Sequence, residues 1–342
     1  MRFLKDFIAE VAQGILTGGV GVDYSTSVML ARTPTDDSIY DLFYWANRIR
    51  LARVGPAIRL CAIIASKIGA CSEDCAFCGQ SVHHPARLPD RQGTLSGPEI
   101  LAAAHKAVER GAASFGIVNS GRGPADAELD RLGPILEQLA GLEKLTVCAS
   151  LGMLSDSQAK RLYRLGVRRY NHNLETSRRF FPRVISSHSY DERLATAKAV
   201  KQAGMSLCCG GIFGLGESME DRLDFAQSLA EIQPDDVPLN FLHALEGTPL
   251  ADAVPMKPLD ILRTIALFRF VLPGAHIKVA GGREANLRDL QSWIFFAGAS
   301  GCLIGDYLLT SGRSIQDDQQ MLADLGLSAE TVQAGLPDAL KV

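Results

Sequence analysis

The chain has 342 residues, 47% of them hydrophobic and 21% charged, a balance that excludes a disordered or fibrous protein and suits a soluble globular enzyme. A net charge of −3 with no dense Lys/Arg stripe gives no reason to expect nucleic acid or an anionic membrane, so small molecules are the expected partners. Eight cysteines in a large chain without a secretory leader point to the cytoplasm, where thiols serve metals or catalysis more often than disulfides.

In chain order, Phe3, Leu4, Phe7, Ile8, Val11, Ile15 and Leu16 recur at helical spacing, interrupted by Lys5, Asp6 and Glu10. Residues 1–50 therefore read as a helical N-terminal extension rather than a signal-peptide core. No apolar run elsewhere reaches the roughly 18 residues of a membrane span. From about residue 57, short β-rich runs alternate with amphipathic helical segments, the pattern of repeated βα units. Strands are predicted near 58–66, 114–119, 144–151, 168–174, 206–213, 236–243, 276–281 and 301–305. Helices fall between them, among them 98–110 with Ile100, Leu101, Ala104 and Val108 on one face, 188–204, and 219–231 capped by Ser218. The fold class is α/β: a (β/α)8 TIM-type barrel over 51–312, with a polar tail at 313–342 packed on its outside.

Barrel chemistry collects where strands give way to loops. Cys71, Cys75 and Cys78 follow the first strand, Cys148 lies in the third, Asn171 and Asn173 in the fourth, Cys208 and Cys209 in the fifth, Asn240 in the sixth. Asn171 and Asn173 are two apart and share a face, taken as the lumen. The stretch Ala70-Cys71-Ser72-Glu73-Asp74-Cys75-Ala76-Phe77-Cys78-Gly79-Gln80-Ser81 sets three thiols in Cys-x3-Cys-x2-Cys spacing. Three such thiolates can hold three irons of a [4Fe-4S] cube and leave the fourth iron open to chelate S-adenosylmethionine. Structural zinc or a redox trio fits less well, because a fourth ligand at knuckle spacing is missing.

This spacing, with aromatic Phe77 just before the last cysteine, resembles the radical S-adenosylmethionine superfamily. The longer run Cys71 to Ser81, Tyr170-Asn171-His172-Asn173-Leu174-Glu175-Thr176-Ser177, and Cys209-Gly210-Gly211-Ile212-Phe213-Gly214-Leu215-Gly216-Glu217 are similar to the biotin synthase family. Val237 to Leu242, Gly247-Thr248-Pro249-Leu250 and Ala280 to Glu284 continue the match, which spans about 50–310. The resemblance implies insertion of sulfur into dethiobiotin by adenosyl radicals, since unactivated C–H bonds offer no acidic proton. It implies that Asn171, Asn173 and Asn240 hydrogen-bond dethiobiotin, and that Asn173 also bridges to the nucleoside. It implies further that Glu175 contacts the ribose, Arg193 the methionyl carboxylate, and that Phe77 and the Ile212 backbone lie near adenine, with His243 lining the same pocket. His172, between the asparagines, reads as a packed histidine. A flavodoxin- or ferredoxin-type electron donor and a homodimer follow from the resemblance alone.

The family's second cluster, a [2Fe-2S] held by three cysteines and an arginine, has only part of its set here. Cys148 and Cys208 are in place, but Gly116 stands where the second-strand cysteine is expected, and Lys278 replaces the arginine. Cys209 is an addition, pointing opposite to Cys208 unless a bulge re-aims it. Three explanations compete: an auxiliary iron-sulfur cluster of another type ([2Fe-2S] or larger) on Cys148, Cys208 and Cys209, a different sulfur donor, or a related methylation or rearrangement without sulfur insertion. The first is favoured, because lumen-side thiols otherwise lack a purpose. A non-enzymatic iron-sulfur scaffold would need no asparagine lattice. Lys278 is expected to supply charge or hydrogen bonding rather than a metal bond. Cys61 and Cys302 read as buried small hydrophobes.

Overall fold

The computed structural model describes residues 2–34, 37–88 and 93–330. Its strands are β1 (Arg59–Ile68), β2 (Gly93–Thr94), β3 (Ser114–Asn119), β4 (Thr146–Ser150), β5 (Arg169–Asn171), β6 (Ser206–Cys208), β7 (Gly211–Phe213), β8 (Asp236–Phe241), β9 (His276–Val279) and β10 (Gly301–Leu303). Parallel pairing runs β1-β3-β4-β5-β6-β8-β9-β10, and β10 returns to β1 through Arg59↔Gly301, which closes the barrel. The short β2 only pairs antiparallel with the end of β1.

All eight expected staves form, but the fifth is broken into β6 and β7, which both pair with β8. Crowded backbone explains the break. A Cβ on Gly210 would lie 2.0 Å from the Pro238 carbonyl oxygen, and one on Gly211 would lie 2.2 Å from that of Glu175. Only glycine permits such an approach. Glu175 bridges to Gly211 and takes φ +71°, a left-handed conformation that costs a non-glycine residue energy.

Three helices precede the barrel: α1 (Arg2–Gly18), α2 (Tyr24–Ala31) and α3 (Asp37–Arg53). The outer layer comprises α4 (Gly97–Glu109), α5 (Asp126–Ala140), α6 (Asp156–Arg164), α7 (Tyr190–Gln202), α8 (Met219–Ile232) and α9 (Pro258–Val271). Short α10 (Arg283–Leu287) and α11 (Trp293–Phe296) lead to α12 (Ile315–Asp324). The periodic faces behave as expected: Ile8 and Ile15 of α1 are buried, as are Ile100 and Ala104 of α4, with Leu101 and Val108 packed against the same core. Ser189 caps α7 and Ser218 caps α8 by accepting from the Glu192 and Asp221 N–H groups, so the chain is aimed back at the barrel after each loop. Among the described residues no helix is long and apolar enough to cross a membrane.

The tail is tied to the barrel at both ends, beyond the end of β9 and at the start of β1. Asp318 of α12 pairs with buried Arg283 at 2.7 Å, and Glu330 meets Arg59 at 2.7 Å. Residues 331–342, the rest of the expected tail, lie outside the described residues.

Candidate active site

A cavity of about 450 Å³ runs from the strand ends down into the barrel, within the usual size for a small-molecule site. Cys71, Cys75 and Cys78 line its rim. The loop carrying them is stiffened by its own hydrogen bonds. The Cys71 N–H donates to the Gln80 carbonyl at 3.1 Å, the Val82 N–H to the Cys71 carbonyl at 2.9 Å, and the Cys78 N–H to the Cys75 carbonyl at 2.9 Å. Burial pushes the Cys75 thiol up to about 12 and raises Cys78 as well, so these two thiols are protonated when free and metal binding must expel their protons. Among the described residues no three His, Cys, Asp or Glu side chains converge closely enough to grip a single metal ion. A donor set of three thiols spread around one cavity suits a polynuclear iron-sulfur group, whose irons each take one thiolate.

The two acids inside the cysteine loop tie it to the segment before α7. Asp74 accepts from the Ser186 and Ser187 N–H groups, each at 3.0 Å. Burial would raise its carboxyl, but hydrogen bonds from Ser186 and Ser187 hold it well below the usual range. Glu73 bonds His188 Nδ1, and Arg193 Nε donates to His188 Nε2 at 2.9 Å, which assigns the histidine proton to Nδ1. Arg193 also donates to the Asn173 carbonyl at 2.8 Å and reaches Glu175 Oε1 at 3.2 Å. Burial raises the Glu175 carboxyl and the arginine opposes that shift. The chain Glu73–His188–Arg193–Glu175 thus couples the cysteine loop to the residues expected to bind the nucleoside and amino acid.

The asparagines meet as expected on the cavity wall. Asn240 Nδ2 donates to the Gly211 carbonyl at 3.0 Å and its Oδ1 accepts from the Gly281 N–H at 3.0 Å, pinning the staves on either side. Asn173 Oδ1 accepts from the Gly210 N–H at 3.2 Å, while its Nδ2 donates to Glu175 at 3.3 Å. Asn171 Nδ2 reaches Ser150 Oγ at 3.5 Å, a weak contact that leaves its amide available. Phe77, Ile212 and His243 line the same space. His172 is buried, and desolvation drives its pKa well below the ordinary value.

Below the asparagines lies a charged floor. Asp236, fully buried at the start of β8, stands 2.8 Å from Arg169 Nε, 3.1 Å from Arg59 Nη1 and 3.9 Å from Lys278 Nζ. Burial would raise its carboxyl, but these cations outweigh that and hold it at about 2. Cys148 and Cys208 line this floor as expected; Cys209 does not. The break after β6 leaves the alternation intact, so Cys209 points outward and packs in the apolar core with zero exposure. Cys61, expected as a buried small hydrophobe, is buried and packs with Ala280 and Leu303. Cys61 lines the cavity, 3.6 Å from Lys278 Nζ. Cys302 does sit in the core. Gly116 is on the lumen face beside Cys148, where an added Cβ would press on Ile63 Cγ2 at 3.3 Å. No short motif marks His188, Arg169 or Asp236 as part of the site. Only the regular strand spacing placed Asp236 at a stave's start, and nothing local to His188 announced its partner.

The Radical SAM superfamily matches residues 66–229, and the Biotin and Thiamin Synthesis associated domain matches 238–328. The chain is 46% identical to the biotin synthase of Heliobacterium modesticaldum over 96% of this chain and 100% of that one. It is 44% identical to that of Geotalea uraniireducens over 94% and 97%. Among solved structures, methylornithine synthase superposes with a TM-score of 0.81 at 17% identity, covering 94% of this chain and 97% of that one, which bears on the fold alone. With its cysteine loop, asparagine wall and closed barrel in place, this chain belongs to the biotin synthase family within the Radical SAM superfamily.

Proposed function

We propose that the chain makes biotin by inserting sulfur into dethiobiotin, with S-adenosylmethionine held at the rim and an auxiliary iron-sulfur cluster on the floor as the sulfur source. The observation that carries this reading is one continuous cavity with thiols at both ends and an amide-rich wall between them. When bound, the rim cluster supplies the electron that cleaves the sulfonium bond and gives the 5′-deoxyadenosyl radical. The protein's own residues do the positioning. Arg193 offers a guanidinium to the methionyl carboxylate, Glu175 an acceptor pair to the ribose hydroxyls, and Phe77 an apolar face to adenine. Asn171, Asn173 and Asn240 present both donors and acceptors, which match the mixed polarity of a ureido ring. Cys148 and Cys208 hold the auxiliary cluster. A small flavodoxin- or ferredoxin-type protein delivers electrons, and the working assembly is a homodimer in the cytoplasm.

Anaerobic incubation of the reconstituted protein with S-adenosylmethionine, reductant and dethiobiotin tests the reading. Biotin and 5′-deoxyadenosine should both appear. Release of 5′-deoxyadenosine without biotin would leave a radical enzyme that has lost sulfur insertion, and no cleavage at all would leave a scaffold.

A further inference from the structure

We propose that Cys61 is the third thiolate of the auxiliary cluster, in place of a second-strand cysteine, and that Lys278 and Arg169 balance the cluster's negative charge without coordinating iron. This rests on the reading that the floor holds a cluster at all. Three observations lead to it.

The first is placement. Cys61, Cys148 and Cys208 come from β1, β4 and β6 and line the same cavity, whereas Cys209 faces the core. The second is register. Cys61 pairs with Ser114, and Ile63, two residues on along the same face of β1, pairs with Gly116. Ile63 fills the space that a side chain at Gly116 would enter. The thiol absent from β3 is thereby replaced by one on the adjoining stave, one pleat nearer the floor.

The third observation is charge. Arg59, Arg169 and Lys278 cluster around the floor, and among the described residues only Asp236 and Glu330 face them with carboxylates. One cation is left without an anion in a buried place, an arrangement that is costly unless a negative group arrives. Arg169 Nη1 is buried with no hydrogen-bond partner among the described residues. Lys278 Nζ stands 3.6 Å from Cys61 Sγ and 3.9 Å from the Asp236 carboxylate, so its ammonium faces both the thiol and the carboxylate. A charged ammonium has no lone pair for iron, so its part is electrostatic. An iron-sulfur group bound through three thiolates brings the missing negative charge to the spot these cations surround.

The test uses the full chain with Cys71, Cys75 and Cys78 changed to Ala, so that any iron belongs to the floor. Anaerobic reconstitution with ferrous iron and sulfide should load this parent. Cys61→Ser and Cys61→Ala, checked for folding by circular dichroism, should lose the iron or give an altered Mössbauer spectrum, as should Cys148→Ser and Cys208→Ser. Cys209→Ser should match the parent. In the parent itself, iodoacetamide labelling of Cys61, read by peptide mass, should fall when the cluster is loaded, which requires no substitution at Cys61. Folded Cys61 variants with the parent's iron and spectrum, or labelling unchanged on loading, overturn the assignment while the floor cluster stands. A parent that takes up no iron overturns both.

Discussion

The rim and the floor of this barrel hold thiols in opposite ways. At the rim, three cysteines lie within eight consecutive residues, and the loop that carries them is ordered by hydrogen bonds to its own backbone and to Ser186 and Ser187. At the floor, Cys61, Cys148 and Cys208 arrive from staves far apart in sequence, and buried ion pairs around Asp236 hold their surroundings. A local site can vary its barrel without losing its ligands. A distributed site depends on closure and register. That difference fits a rim whose three thiols are announced by their spacing and a floor whose thiols meet only through strand register.

Four substitutions press on this contrast, from the largest expected effect to the smallest. Cys71→Ala should abolish 5′-deoxyadenosine release, measured by chromatography, while the unfolding midpoint stays at the wild-type value. Persistent cleavage would break the assignment of the rim. Asp236→Asn should lower stability by about 3–5 kcal/mol in urea unfolding, because it strands buried cations that now share one carboxylate. A near-neutral result would show that the floor is better solvated than its burial indicates. Arg193→Ala removes charge-assisted contacts of about 1.5–3 kcal/mol and should weaken S-adenosylmethionine binding roughly 10- to 100-fold, with iron content unchanged. If iron falls instead, the Glu73–His188–Arg193 chain supports the cluster loop more than the ligand. Ser218→Ala, a helix cap remote from both regions, should cost about 1 kcal/mol and leave iron and turnover per folded molecule alone.

Much of the rim was legible because its information is local. The Cys-x3-Cys-x2-Cys spacing, the Asn171/Asn173 pair two residues apart and the glycines after Cys209 each speak through near neighbours. The two adjacent cysteines show the limit of that logic. Alternation sets Cys208 and Cys209 facing opposite ways, and bringing both into the lumen requires a bulge that re-aims one. The stave does break at Gly210, and Cys209 still points outward. Cys61 shows another limit: flanked by apolar residues on β1, it is buried as expected, and it takes Lys278, 217 positions away, to mark it as part of the cavity.

The sequence alone determined the eight βα units, the cysteine loop and the amide wall, because periodicity and motif spacing act over a few residues. Tertiary structure alone decided which thiols share the lumen, how many buried cations lack an anion, and which histidine joins the cysteine loop to Arg193. Those depend on strand register around a closed barrel, which brings together residues that no short stretch of chain can relate.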